Sequence, residues 1–291
     1  MSTLTQLEVF NELNASPHAR LEASAQLGDG LAAALWSNRD DARDYHAPRH
    51  HTLSCYIAGG TRTFRRQRPL FTGAPDKLCV LPAGHESNWV IDGPLRLAHL
   101  YVSEEQFVLG CVRLLDREPR AVQLHDATFV DDARQAQRFR QLIALDWHEP
   151  AERLLTSSIA HAIVDHAVLC QVGMREGLRL KGGLAPYQRR SLRAFIEAHL
   201  DQPLALGALA ERCQLSEYHF ARMFRQSFGL PPHQYVLARR LQRACDLLRL
   251  GGTGLGDIAL SCGFASASHF SNRFRQAMGA TPGAYRAAFL N

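Results

Sequence analysis

Thirteen arginines and no lysine fall in residues 186–291, against six carboxylates, so this stretch carries +7 while residues 1–185 carry −2. A guanidinium is a planar fork of five donors, matched in spacing to a phosphate or to the outer edge of guanine. The chemistry these side chains could do is therefore recognition of nucleic acid rather than group transfer. No Gly-x-Ser-x-Gly elbow, phosphate-binding Gly-x-x-x-x-Gly-Lys loop or His-Glu-x-x-His pair occurs in the 291 residues, so no catalytic residue and no cofactor is expected. The seven cysteines are odd in number, scattered and never spaced Cys-x-x-Cys, which predicts reduced core thiols in a cytoplasm. Acidic Glu8 and Glu12 stand where an export signal needs a basic start and an apolar run, and no apolar run reaches the ~18 residues of a membrane span. The chain is expected to be soluble, with no membrane partner.

The arginines sit inside a repeat. Leu206, Gly207, Ala210 and Cys213 recur 49 residues later as Leu255, Gly256, Ala259 and Cys262. One residue is then gained. His219-Phe220, Phe224-Arg225-Gln226, Gly229, Pro232 and Tyr235 recur 50 residues on as His269-Phe270, Phe274-Arg275-Gln276, Gly279, Pro282 and Tyr285. Each copy reads as a short helix, a tight turn and a longer helix. Leu206, Leu209 and Ala210 form an apolar stripe of helical period. Ser216 is an N-cap, and Ser266 or Ala267 opens the matching helix of the second copy. Phe220, Met223 and Phe224 then share one face, leaving Tyr218, Ala221, Arg222 and Arg225 on the other, until Gly229 stops the helix. Two helices joined by a short turn, the second presenting arginine, describe a helix-turn-helix, here used twice over 206–228 and 255–278.

Between the copies, Pro232–Leu250 predicts a helix of 19 residues, about 28 Å at ~1.5 Å per residue. Successive major grooves on one face of a duplex lie ~34 Å apart. A strut of this length holds two reading helices near that spacing, and a shortfall requires the DNA to bend or one copy to bind less fully.

The ordered string Cys262-Gly263-Phe264, Ser268-His269-Phe270-Ser271, Phe274-Arg275, Gly279, Thr281-Pro282 and Tyr285-Arg286 resembles the C-terminal domain of the AraC/XylS family of bacterial transcription regulators. The resemblance covers about residues 186–291. It implies two helix-turn-helix units bridged by a linker helix, and double-stranded DNA at promoter half-sites as the partner. By carry-over the base-facing positions are Tyr218, Ala221 and Arg222 in the first copy and Ser268, Ser271 and Asn272 in the second. Ser216 and Ser266 at the helix starts complete the DNA-binding set with Arg225 and Arg275, which sit one turn later and hold phosphates. Arg222 suits guanine, Asn272 adenine and Ala221 a thymine methyl. Many family members carry Arg where this chain has Asn272, so the second copy's preference is its own. His219 and His269 are expected to make a structural hydrogen bond at the helix start.

Ahead of this domain, residues 46–103 read as β-rich. Leu53, Cys55 and Ile57 alternate with Thr52, Ser54 and Tyr56, and Leu95, Leu97, His99 and Tyr101 alternate with Arg96, Ala98, Leu100 and Val102. The resemblance implies a small cupin-like β-barrel here that takes a small-molecule effector. Tyr56, His85, Trp89, Arg96, His99 and Tyr101 are the candidate effector-binding residues, since a pocket is mostly apolar with a few convergent polar groups. His46, His50 and His51 flank Pro48, and His85 follows Gly84 directly, where a metal-binding cupin places its histidine further on, so no metal is expected. Residues 103–172 read as helical, with long stretches at Ala133–Trp147 and Glu152–Val172 that the resemblance assigns to a homodimer interface.

The expected architecture is α+β: an effector-binding and dimerisation domain over 1–180, a linker at 181–185 and an all-α DNA-binding domain over 186–291. The expected function is a cytoplasmic, nucleoid-associated transcription regulator, with RNA polymerase as a partner if it activates. Two other readings stand beside it: a cupin-type metal enzyme fused to a DNA-binding domain, and a DNA-bound module whose first part recognises a protein.

Overall fold

A computed structural model describes residues 4–28, 30–115, 119–149, 152–174 and 182–290. They fall in two compact units, Met1–Phe107 with Leu124–Gly173, and Val108–Gln123 with Met174–Asn291.

The first unit opens with α1 (Glu8–Asn14) and continues through β1 (Ala19–Gly28), β2 (Leu31–His46), β3 (His50–Gly59), β4 (Thr63–Arg65), β5 (Lys77–Leu81) and β6 (Glu86–Ser103). After α2 (Glu104–Leu114) come β7 (Val122–Leu124), β8 (Ala127–Asp131), α3 (Ala133–Ile143), α4 (Arg153–Cys170) and β9 (Val172–Met174). Seven strands make one antiparallel sheet in the order β1-β2-β6-β3-β5-β8, with β4 also on β6, while β7 and β9 pair separately. The hydrogen bonding leaves β1 and β8 as open edges, so the unit is a curled open sheet where a closed cupin barrel was expected. The curl is set by the long partners β2 and β6, whose register runs from Leu31–Val102 to His46–Glu86 through a bulge at Arg39/Asp41. Asp40 takes φ 53° at that bulge, and bulges bend strands and sharpen their twist. Curling brings Phe129 of β8 edge-on to Tyr56 of β3 at 5.4 Å and to Trp89 of β6 at 5.8 Å. Together with Trp36, Tyr101 and Phe10 of α1 they fill one core.

Strand structure begins at Ala19, well before the β-rich stretch expected from residue 46. Alanine is a poor strand former, and β2 carries Ala32, Ala33 and Ala34. All three are buried, with Leu31, Leu35 and Trp36, so both faces of this strand are covered and the apolar–polar alternation that marks a half-buried strand is absent. The helical stretch expected over 103–172 is likewise interrupted by β7 and β8, and its long helices end at Ile143 and Cys170. In β3 the residues turned to the core include Tyr56, and Ser54 joins it at the interior cavity, although Leu53 and Cys55 are equally buried on the other side.

The second unit is helical: α5 (Pro186–Ala198), α6 (Leu206–Arg212), α7 (Glu217–Phe228), α8 (Pro232–Leu250), α9 (Leu255–Ser261), α10 (Ala267–Met278) and α11 (Pro282–Leu290). Val112 from the later half of α2 is built into its core beside Leu192, Ile196, Phe220 and Phe224. Residue 181 of the expected linker lies outside the described residues. Beyond it, the Leu184 amide donates to Ser227 Oγ at 2.7 Å.

Candidate nucleic-acid interface

Local rules build each reading helix in the same way. In the first copy Gln214 turns the chain at φ 56°, the Leu215 amide donates to Ala210 O at 3.1 Å, and Ser216 Oγ caps α7 by accepting the His219 amide. In the second copy Gly263 turns at φ 74°, the Phe264 amide donates to Ala259 O at 2.9 Å, and Ser266 Oγ accepts the His269 amide at 3.1 Å. Gly229 and Gly279 close the two helices in the left-handed region at φ 73° and 72°, where glycine carries no side-chain penalty. It is thus the backbone amides of His219 and His269 that are tied at the helix starts. The side chains of both residues stand exposed.

Burial then fixes which face each helix offers. Phe220 and Phe224 of α7, and Phe270 and Phe274 of α10, are fully buried. The faces left outside carry the expected residues. Tyr218, Arg222 and Arg225 are exposed and Ala221 is half-buried on α7, while Ser268, Asn272 and Arg275 are exposed and Ser271 is half-buried on α10. Ser216 and Ser266 are also exposed at the helix starts. Tyr218 is 83 % exposed, an aromatic ring with nothing covering it on a face otherwise made of guanidinium and small polar groups. Sequence reasoning missed Arg273, which is exposed on α10. The offset of 50 sets it against half-buried Met223, so the repeat itself masked it.

Not every arginine is available to DNA. Arg239 Nε donates to Glu197 Oε1 at 2.5 Å, Arg240 serves the carbonyls of Leu200 and Gln202, and Arg212 lies 4.0 Å above the ring of Phe195. Fewer guanidiniums are therefore at hand for direct contact than the composition suggests, while the outward Arg222, Arg225 and Arg275 stand exposed.

Two concavities among the described residues of the first unit bear on the expected pocket positions. An interior cavity of about 30 Å³ is lined by Tyr56, Trp89 and His99 among the expected pocket residues, with Tyr45, Ser54 and Thr63. That volume holds about one water. Trp36 Nε1 donates to the Tyr101 hydroxyl at 3.3 Å, and that hydroxyl lies 3.1 Å from His99 Nδ1. Burial drives the His99 imidazole down to about 3, opposed by no carboxylate and reinforced by His50, so the ring is neutral and can accept the tyrosine proton at Nδ1. Tyr101 itself lines the second concavity. His85 faces Tyr45 edge-on and pairs through Nδ1 with the Pro82 carbonyl at 2.8 Å. Arg96 lines neither concavity. It occupies the opposite alternation to Leu95 and Leu97, half-exposed, and binds Glu22 at 2.8 Å.

The second concavity, a cleft of about 550 Å³, lies between α1 and the ends of β2, β3 and β6, lined by Glu8, Asn11, Arg49, His50, Tyr101 and Ser103 among others. Burial alone would raise the Glu8 carboxyl, but hydrogen bonds from Arg49, its own amide and His50 hold it at about 2. Burial lowers His50 to about 4 against the pull of Glu8. A neutral His50 donates from Nδ1 to Glu8 Oε2 at 3.0 Å, which leaves its buried Nε2 a lone-pair acceptor with no partner. No period or spacing along the chain joins Glu8 to His50. Among the described residues no three His, Cys, Asp or Glu side chains are grouped to hold a metal ion, and no helix is long and apolar enough to cross a membrane.

Comparison with known proteins bears on the second unit above all. A helix-turn-helix domain model matches residues 209–288. The right origin-binding protein of Escherichia coli K12 is 38% identical over 97 residues, 33% of this chain and 34% of that protein. The HTH-type transcriptional activator RhaS of Escherichia fergusonii is 33% identical over 152 residues, 52% of this chain and 54% of that protein. A solved transcriptional regulator of Chromobacterium violaceum, titled as containing an AraC-type DNA-binding domain, is 32% identical, covering 35% of this chain and 92% of that one at a TM-score of 0.34. The chain spans about a third of the length of the first curated relatives it matches. Residues 209–288 thus carry a helix-turn-helix domain similar to that of these named transcription regulators.

Proposed function

We propose that this protein is a sequence-specific transcription regulator that lays α7 and α10 into neighbouring major grooves of promoter DNA. The observation that carries the reading is the pair of capped helices with the same buried aromatic face and the same outward polar face. Arg222 reads guanine, Asn272 reads adenine, and Arg225 and Arg275 hold phosphates. The relatives are named as regulators, which favours this reading over a metal enzyme fused to a DNA-binding domain. Footprinting of the full chain on genomic fragments tests it. Expected are paired protected segments about one helical turn apart, with affinity falling steeply as salt rises. Equal binding to cognate and scrambled DNA overturns it.

The first unit is the effector-responsive part, and the cleft beside His50 is the place for the effector, because the interior cavity admits only about one water. A buried Nε2 acceptor without a partner calls for a ligand that offers a hydroxyl or an N–H. A ligand biases the regulator only by its difference in affinity between two states. Thermal shift of the full chain against small metabolites tests this, and the proposal fails if none raises the melting temperature of the first unit. Leu155 and Leu169, exposed on one side of α4, support pairing of two protomers, which would multiply affinity for repeated half-sites through effective concentration.

A further inference from the structure

Gln214 and Gly263 are the same step of the repeat, and both lie at positive φ. Gln214 shows that this turn does not itself demand glycine. Gly263 answers a different constraint. A β-carbon built there would run into the carbonyl oxygen of Leu200 and would lie 2.8 Å from Arg240 Nη2. Leu200 belongs to the core of the first copy, with Ile196, Leu209 and Phe220, so the turn of the second reader rests directly on backbone of the first. Arg240, near the middle of α8, clamps the same backbone: Nε donates to Leu200 O at 2.9 Å and Nη2 to Gln202 O at 2.7 Å. One residue earlier, Arg239 holds Glu197 of α5. The bridging helix is therefore pinned near its middle, at Arg239 and Arg240.

We infer that Arg240 and Gly263 form an interlock that fixes the orientation of the two reading helices, so that the domain meets DNA as one rigid body of preset spacing. Arg240 is a positioning residue: its guanidinium is spent on Leu200 and Gln202, and it acts on DNA only through the placement of α10. The inference rests on the DNA-binding reading above. A rigid pair gains the second groove at a high effective concentration when the DNA spacing matches, and loses it when the spacing does not. One inserted base pair rotates the second segment by about 34° and moves it ~3.4 Å, more than a clamped turn can follow.

The test uses the full chain on three probe sets: the footprinted paired site, the same site with one or two base pairs inserted between segments, and each segment alone. Expected for the parent protein is a loss of about tenfold or more on each insertion, towards the affinity of one segment alone. Arg240→Ala and Gly263→Ala are expected to weaken the paired site by about tenfold, to bind single segments within about twofold of the parent, and to tolerate insertions better. Arg240→Lys, a point charge without the planar fork, is expected to fall between. Unchanged paired-site binding by the variants, or an equal loss on single segments, overturns the interlock. If the variants do not fold, the parent's insertion series decides, since tolerance of both insertions overturns it. If the parent shows no sequence preference at all, the regulator reading fails instead. The interlock is then judged from spin labels at Tyr218→Cys and Ser268→Cys in a Cys170→Ser background, where a narrow distance distribution supports it and a broad one overturns it.

Discussion

Arg222 and Asn272 occupy the same step of the two helices, both exposed, one a guanidinium and the other an amide. The buried sides of those helices are near copies: Phe224 meets Tyr235 at 5.5 Å and 79°, and Phe274 meets Tyr285 at 5.3 Å and 81°. One scaffold thus carries dissimilar outward side chains in its two copies. Arg222→Ala is expected to weaken the cognate site by ~1–3 kcal/mol and to relax preference at one base pair in the first segment only. Asn272→Ala should do the same in the second. Competition binding against single-base-permuted probes checks both, and uniform loss across all probes would reassign either side chain to the phosphates.

The N-caps offer a test of fold without touching the core. Ser216 and Ser266 each accept an amide from three residues on. Ser216→Ala and Ser266→Ala should each lower stability by about 1 kcal/mol. Urea denaturation of the full chain measures it. Because both serines are also in the expected DNA-binding set, their effect on affinity at a urea-free baseline separates a contact from a cap: loss of stability with unchanged affinity makes them caps alone.

The aromatic core is where the repeat was most legible. Phe220, Phe224, Phe270 and Phe274 announce themselves by helical spacing, and each is buried as that spacing requires. Truncating Phe274 to alanine should cost about 3–5 kcal/mol through lost transfer energy and a cavity against Tyr285, enough to unfold the second reader, and Phe224→Ala should match it in the first. Circular dichroism melts of the two variants check this.

The first unit was less legible for physical reasons that particular residues make plain. Ala32, Ala33 and Ala34 are silent in a pattern search, yet their small side chains pack a strand buried on both faces. Glu8 and His50 meet across 42 positions with no shared period, because a curled sheet and a short helix bring them together, and only coordinates could reveal that. Arg96 stands on the other parity: Leu95 and Leu97 are buried, while Arg96 pairs with Glu22. Tyr56, Trp89 and His99 line the interior cavity, with Tyr56 on the strand face that the alternation set against Leu53, Cys55 and Ile57.

The cleft predicts a split between His50 and Arg96. His50→Phe removes the orphaned Nε2 acceptor and keeps the bulk of the ring. Any metabolite that stabilises the first unit of the parent chain should lose that effect in His50→Phe and keep it in Arg96→Ala, since Arg96 pairs with Glu22 outside the cleft. Thermal shift with both variants decides it, and an unchanged response in His50→Phe would move the effector elsewhere.

Acid should loosen the first unit before it loosens the second. Burial pushes His50 down to about 4 and His99 down to about 3 from the ordinary 6.5, and it lowers His85 as well. Below pH 6.5 the unfolded chain takes up protons at these rings while the folded chain does not, so the unfolded state binds more protons and stability falls with falling pH. These groups contribute nothing to the slope above pH 6.5. Each can remove up to ~1.4 kcal/mol per pH unit below it, His50 until about pH 4 and His99 until about pH 3. Glu8 adds to the loss only further down, between its ordinary 4.5 and about 2. Calorimetry of the full chain from pH 7.5 to 5 should therefore show the melting transition of the first unit moving down once the pH passes 6.5. His99→Gln should flatten that slope, because it removes one buried base that cannot be protonated in place. A transition that stays level between pH 7 and 5 would mean that these imidazoles take up their protons in the folded state after all, and with it the neutral His50 that leaves Nε2 free to accept would be lost.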